Sequence, residues 1–455
     1  MNKYFSYFAA MSLAVTITAC SSEQDNVFDQ SAAERLNNIS GTYSTRLTDS
    51  KGGWVMEYYP YTDNEDFNTG VGYLIMNRYN TNGSVYTVMK NKASRNAKWE
   101  DTSAWQVITD MGPVLTYNTW NKCYGRFTDP LDIDLTTGSS NDESGKGYQG
   151  DYEFVMVDVP ENGEYIMLKG KKRGIYQRMT RLPEDTDFET YLDDIATFNN
   201  NHFVGKLPYE FNLTDNEKSY KVNHMGTMRP TIYPEGKDSV SYGFHMPYLV
   251  TKKADQYYLR FKDTVMVEGT QMEQEFVYNS DDDKFYGVKN STNVISSPYA
   301  DAISFVKEKL DNNATFKTFR KQTAELSDKM KQYLDAASNA MHAKNTKYQI
   351  DSISVRNTTD LGLVWLFRYQ SGSSAKDIIY KYDYQIDGNT IAFTFKEAEA
   401  VNGTNIMNSV PEIKTLLTDV LARKFIVEKY ITLFNLRKIR LVAEDDKDLW
   451  FIINY

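Results

Sequence analysis

Asp151 and Glu153, in the stretch GDYEFVM, alternate as residues on one face of a strand do, so both carboxylates are expected on the same side. Two carboxylates held across a sugar at a defined separation are what glycoside hydrolysis needs, although a half-solvated strand shows the same alternation. Asp129, Asp132 and Asp134 bring hard oxygen donors together in one short stretch and are the calcium candidates. Asp281-Asp282-Asp283 is a second acidic run, for which a solvated turn is the plainer reading. Neither run carries the glycine-bearing calcium loop, and the chain has no His-Glu-x-x-His, Cys-x-x-Cys, nucleophile elbow or phosphate-cradling glycine loop. Cys123 lies among rings in LTYNTWNKCYGRF and reads as a packed thiol; none of His202, His224, His245 and His342 is near it in sequence to act as a base. The residues therefore point away from an enzyme, and no catalytic residue, metal or cofactor is expected.

Aromatic side chains offer a different chemistry. With 34 tyrosines and 6 tryptophans the chain is rich in rings that present an apolar face and a polar edge, which suits contact with sugar or protein. Trp54, Trp99 and Trp120 are the first places to look for a ligand platform, with Asp151 and Glu153 beside them as polar contacts. Tyr58, Tyr59 and Trp105 belong to the same set, and packing within a sheet is the competing reading for all of them.

The first residues run basic, apolar, small, cysteine: Lys3, then a stretch from Phe8 to Ile17, then Thr18, Ala19 and Cys20. The apolar part is shorter than the roughly 20 residues that cross a hydrocarbon core as a helix, so it reads as an export signal. Ile17-Thr18-Ala19-Cys20 resembles a bacterial lipobox, which implies cleavage before Cys20 and lipid on its sulfur. Two or more acyl chains of the palmitate class give durable attachment, because each buried methylene contributes roughly 0.8 kcal/mol. With Cys20 taken by lipid, Cys123 has no disulfide partner within the chain.

These residues need elements to position them. The expected organisation is a signal peptide over 1–19, a tether with room for a short helix over 20–38, a β-rich domain over 39–181, a linker over 182–205 and an α+β domain over 206–455. The fold class is mainly β with some α, and the first domain reads as an antiparallel sandwich or open barrel. Its strands include Thr42–Leu47, Gly53–Tyr59, Gly72–Tyr79, Val85–Lys90, Val114–Thr119 and Tyr165–Lys169, divided by turn formers such as Asn82-Gly83 and Asn162-Gly163. Phe188, Leu192 and Ile195 recur at helical spacing across the linker. In the second domain, Ser239–Phe244 reads as a strand and Ser297-Pro298 as the start of a helix. A single helical stripe is expected from Phe316 through Met330 to Met341, and Ser409 with Glu412 reads as a capping box.

The net charge of -10, made one unit more acidic by loss of Lys3, leaves nucleic acid a poor partner, since phosphate binding draws on clustered Lys and Arg. Lys169-Gly170-Lys171-Lys172-Arg173 is one basic patch of hairpin-end type.

The phrases VFDQSAAERL, WVMEYYP, GPVLTYNTWN, FTDP, GDYEFVM and IMLKGKKRG, in that order between residues 27 and 174, resemble a family of Bacteroidetes lipoproteins catalogued as domain of unknown function 4302. Members look like products of loci that also encode outer-membrane nutrient importers. The resemblance implies an accessory role in surface glycan binding or nutrient uptake, with the membrane, glycan and importer proteins as partners, and carries no catalytic residue onto the chain. Where members often have a histidine after the position of Asn121, this chain has Tyr124 and Gly125. Glu23 and Asp25 behind Cys20 resemble the acidic signal of surface-displayed lipoproteins, which favours the outer membrane's surface face over its periplasmic one. A structural or adhesive surface protein and a glycan-processing enzyme are the alternatives.

Overall fold

The computed structural model describes residues 31–60, 71–110, 112–129, 147–203, 210–215, 218–320 and 325–455. They form two compact units, one built from residues 31–60 and Ile75–Thr186, the other chiefly from Asp187–Tyr455. The protein is mainly β, and its helices cap or fill the sheets.

The first unit is a closed eight-stranded barrel of strands that are neighbours in sequence: Trp54–Tyr58, Tyr73–Tyr79, Ser84–Met89, Trp99–Thr109, Pro113–Tyr117, Glu153–Asp158, Tyr165–Gly170 and Tyr176–Arg181. The last pairs antiparallel with the first, Trp54 opposite Arg181 and Met56 opposite Met179, so the antiparallel sheet closes into a full barrel. Inward positions follow the two-residue period: Phe154 and Met156, Ile166 and Leu168, Gln177 and Met179 are buried. A helix over Lys122–Thr128 sends Tyr124 and Phe127 into the core against Tyr58. The interior is thus packed with side chains.

Thr42–Leu47 is not a strand. It lies inside the helix Ala32–Thr48, opened by a capping box in which Ser31 and Glu34 satisfy each other's amides. The hydroxyls of Thr42 and Thr45 donate to the carbonyls of Asn38 and Gly41 one turn back, which lets β-branched residues sit in a helix. Leu36, Tyr43 and Leu47 share the inward face, and the helix packs on strands Trp99–Thr109 and Pro113–Tyr117.

The second unit opens with the helix Phe188–His202, capped by Asp187. A nine-stranded antiparallel sheet follows, with the spatial order Phe244–His245, Thr231–Pro234, Lys218–Asn223, Phe211–Asp215, Val294–Ser296, Lys284–Gly287, Glu275–Asn279, Gln256–Phe261, Tyr248–Lys253. Most of the expected strand Ser239–Phe244 is a short helix, Ser239–Tyr242, because Asp238 caps it through the Ser241 amide. A second closed barrel is formed by Thr315–Arg320, Tyr348–Thr358, Gly362–Ser371, Ser374–Asp387, Thr390–Ala398, Lys424–Lys429, Lys438–Ala443 and Asp446–Asn454.

The expected helix from Phe316 to Met341 is two elements. Phe316 and Phe319 are on the first strand of the second barrel, where a bulge between Lys317 and Phe319 turns both rings inward. The helix proper, Asp328–Lys344, begins only where Ser327 accepts the Met330 amide, and it buries Met330, Ala337 and Met341. The next helix of the chain before it starts at Ala302 with Asp301 as cap, not at Ser297. Ser409 ends a helix instead of opening one, its hydroxyl returned to the Asn405 carbonyl, while Pro411 takes the first position of the following turn. Ile413, Leu416, Leu417, Val420 and Leu421 nevertheless all reach the core of the second barrel, beside Trp365 and Phe451.

Candidate functional site

Among the described residues of the first unit, the most exposed ring stands on the tight stretch between strand Pro113–Tyr117 and helix Lys122–Thr128. Its backbone is fixed on every side. The Asn118 amide donates to the Ala104 carbonyl at 2.8 Å, and the Ala104 amide donates to Thr119 Oγ1 at 2.8 Å. Tyr152 spans the turn: its hydroxyl accepts from the Asn121 amide at 2.6 Å and donates to the Thr119 carbonyl at 2.9 Å. Asn121 then caps the helix, its Oδ1 accepting from the amides of Cys123 and Tyr124.

Held this way, Trp120 projects with 64% of its surface exposed. Its indole lies nearly parallel to the Tyr152 ring, at 19° with centroids 6.4 Å apart. It rests on Gly125, where a Cβ would stand 2.1 Å from Trp120 Cζ2, so only glycine admits the ring. Trp99 is half-buried beside the same helix, with the Lys122 ammonium 4.5 Å from its ring centre. Asp101 accepts the Lys122 amide at 2.8 Å. Between Trp99 and Asp101, Glu100 accepts the Tyr86 hydroxyl and pairs with Lys98 at 3.1 Å, contacts that hold its carboxyl below the usual carboxylate value.

Beneath the turn, a chain of buried hydrogen bonds stiffens the support. The Tyr79 and Tyr117 hydroxyls are 2.8 Å apart; Tyr117 donates to Tyr124 at 2.8 Å, and Tyr124 donates to Asn77 Oδ1 at 3.1 Å. The Asn121 side-chain Nδ2 donates to Thr87 Oγ1 and Ser103 Oγ at 3.2 and 3.0 Å. Burial pushes the hydroxyls of Tyr79, Tyr117 and Tyr124 well above the ordinary phenol range, and that of Tyr152 up to about 12. All stay protonated at neutral pH. Cys123 is fully buried, and desolvation raises its thiol to about 12, which leaves it an unreactive packing group.

The other sequence candidates are not gathered there. Trp54 is wholly buried and donates its indole N–H to the Leu47 carbonyl at 3.0 Å, so it is a wall residue. Asp151 and Glu153 do not share a strand face, because the strand begins at Glu153. Asp151 is buried and accepts the amides of Lys172 and Arg173 at 2.8 and 3.2 Å, closing the turn of the hairpin Tyr165–Arg181. A Cβ on Gly170 would stand 2.0 Å from its Oδ2. Burial raises the Asp151 carboxyl, with the Lys172 and Arg173 amides opposing. Glu153 is half-exposed, taking a bond from Thr116 Oγ1 at 3.3 Å and pairing with Lys171 at 3.1 Å. Asp129 sits at the end of helix Lys122–Thr128, whereas Cys20, Asp132 and Asp134 lie outside the described residues. Among the described residues no three His, Cys, Asp or Glu side chains are placed to hold a metal ion, and no helix is long and apolar enough to cross a membrane. Tyr152 is the site residue that sequence reasoning missed, although it stands inside the phrase GDYEFVM next to Asp151; Gly125 was noted only as a departure from the family's histidine and not as the seat of Trp120.

Comparison with known proteins adds a family and little else. The sequence model of the family described as "Domain of unknown function (DUF4302)" matches residues 24–280. No curated protein matches the chain. Among solved structures, a transferrin binding protein B variant from Haemophilus parasuis is 9% identical, with 88% of this chain and 74% of that one covered, at a TM-score of 0.14. The β subunit of a DNA polymerase from Streptococcus pyogenes is 10% identical, with 91% and 97% covered, at 0.13. At such scores neither likeness carries an argument about this chain.

Proposed function

The chain belongs to the DUF4302 family, whose description assigns no activity, and from that premise we propose that it is a non-catalytic surface lipoprotein that binds glycan through Trp120 at the rim of its first barrel. Lipid on Cys20 holds it to the outer membrane, facing outward, where it assists nutrient uptake. The observation that carries the reading is Trp120 itself: a large ring, 64% exposed, on a turn whose backbone is tied by Ala104, Tyr152 and the cap of Asn121. A sugar stacks its C–H face on such a ring, and little conformational entropy is lost because the support is already fixed. Tyr152 extends the surface, and Trp99 with Lys122 and Asp101 borders it with polar atoms. The non-catalytic part rests on the carboxylates: Asp151 is spent on backbone amides and Glu153 on Lys171, so neither is poised as acid or base.

The test is a glycan array of bacterial polysaccharides and host mucin glycans, probed with the purified protein and with Trp120→Ala. The wild type should bind at least one class, and the variant should bind it about tenfold or more weakly. Equal binding by the variant would refute the assignment. No binding in either set, with a cell-surface protein copurifying instead, would make the ring an adhesive contact.

A further inference from the structure

A second ligand site stands in the other unit, at the end of the nine-stranded sheet where the helix Phe188–His202 finishes. There the turn between strands Tyr248–Lys253 and Gln256–Phe261, the turn after Glu275–Asn279 and the last turn of the helix surround a cleft of about 580 Å³. Its apolar side is built from rings. Tyr257, Phe198 and His202 form a continuous stack, with centroids 4.2 and 3.9 Å apart and planes within 18°. Tyr278 meets His202 edge-on at 4.7 Å, and Tyr286 completes the lining.

The charged groups that line this cleft are carboxylates, beside the neutral side chains of Gln256, Asn279 and Ser280. Asp255 and Asp281 line it, both exposed, and among the described residues neither carboxylate takes part in an ion pair. The hydroxyls of Tyr278 and Tyr286 are already donated, to Asp283 at 2.6 Å and to Asp282 at 2.5 Å, which leaves the electron-rich ring faces. His202 is 6% exposed; its Nδ1–H donates to the Phe198 carbonyl at 2.9 Å, so Nε2 is a lone-pair acceptor, and it has no hydrogen-bond partner. Desolvation lowers this imidazole to about 4, keeping it neutral. No lysine or arginine lines the cleft. Lys252 is near, 5.7 Å from the Tyr257 ring centre and within electrostatic reach of Asp255, but its ion pair is with Asp194 at 2.7 Å.

Ring faces, two unpaired carboxylates and an unfilled acceptor, with no competing cation in the lining, have one complement: a ligand that carries positive charge and N–H donors. We propose that this cleft binds a protonated primary amine, borne on an amino sugar or on an alkyl chain. The site is independent of Trp120, which lies in the first barrel.

The experiment titrates the purified protein with glucosamine, N-acetylglucosamine and cadaverine, following the imidazole ¹⁵N resonances of His202 by NMR, and repeats it with Asp255→Asn/Asp281→Asn. Both substituted residues are exposed, so the variant should fold as the wild type does. At least one amine should shift His202 saturably, and the double variant should bind it about tenfold or more weakly. N-acetylglucosamine, isosteric at the ring but uncharged, should leave the resonances in place. A response to glucosamine alone assigns the site to amino sugars, to cadaverine alone to alkyl amines, and to both to the ammonium group itself; each supports the proposal. It is overturned if neither amine moves His202, if N-acetylglucosamine moves it equally, or if the double variant binds undiminished. Trp120→Ala should leave the amine titration unchanged.

Discussion

Asp283 Oδ2 accepts from the Lys429 ammonium at 2.5 Å, tying the nine-stranded sheet to the second barrel. The same oxygen accepts the Leu433 amide at 2.9 Å, and the other takes the Tyr278 hydroxyl at 2.6 Å, with Asp283 itself in the left-handed region at φ 52°. Burial alone would raise this carboxyl, but Lys429, Tyr278 and Leu433 together outweigh it and hold it below the ordinary value. Asp283→Asn should therefore destabilise the second unit by about 2 kcal/mol, less than for a wholly buried pair because Lys429 is partly solvated. The sign of its pH dependence follows. Because the folded pKa is lowered, the stabilisation is complete above the unfolded carboxylate value and is lost as pH falls below it and through the folded one. Urea unfolding of both proteins between neutral pH and pH 2 should show the two curves converging in acid.

Gly125→Ala should displace the Trp120 ring without unfolding the barrel, because the clashing atom belongs to an exposed side chain that is free to rotate away. Tryptophan emission should change, and any glycan affinity that depends on Trp120 should fall with it. Unchanged fluorescence and affinity together would show that the indole does not depend on this glycine.

Asp151→Ala removes the acceptor of two amides in a buried turn and should cost about 1–3 kcal/mol of stability. Calorimetry should register the loss, while glycan binding at temperatures where the variant is folded stays near that of the wild type. A selective loss of binding or activity at full stability would return Asp151 to the list of functional carboxylates.

Cys123 should resist thiol reagents at pH 8 in the folded protein and react fully in denaturant, since burial keeps it protonated and covered. Ellman's reagent distinguishes the two states. Rapid labelling of native protein would place the thiol at the surface.

Strands whose inward residues are apolar were legible in the sequence, as with Ile166 and Leu168 in Tyr165–Gly170. The strand that closes the first barrel, Tyr176–Arg181, was not, because one of its inward residues is polar: Gln177 is buried and exchanges two hydrogen bonds with the backbone of Tyr59. A pattern read from hydrophobicity misses such a residue. Thr42–Leu47 failed in the opposite sense, since β-branched composition argued for a strand while the Ser31–Glu34 capping box and backbone-bonded hydroxyls stabilised a helix. At the site, the sequence offered Trp54, Trp99 and Trp120 together, with sheet packing the competing reading for Trp54 and Trp120. What separates them is whether the fold turns each ring inward, and that depends on Gly125, Tyr152 and the turn's tertiary hydrogen bonds. The cleft beside His202 was invisible for a related reason: its rings come from three paired strands and a helix distant from them in sequence, which only the tertiary fold brings together.

The order of strands in the nine-stranded sheet has a consequence for how the molecule can associate. Its two outermost strands, Phe244–His245 and Tyr248–Lys253, are consecutive in the chain, joined by Met246 and Pro247 alone. So short a connection spans roughly 10 Å at full extension, so the two margins of the sheet must curl round to face one another. The Met246 amide is donated to the Pro230 carbonyl and the Pro247 carbonyl accepts from Lys262, which occupies the joining backbone as well. Both barrels close on themselves and this sheet nearly does, so strand addition, the usual route by which β proteins recruit extended peptides or aggregate, is sterically discouraged at these three sheets. Among the described residues, a partner that meets these three sheets is left to recognition through side chains.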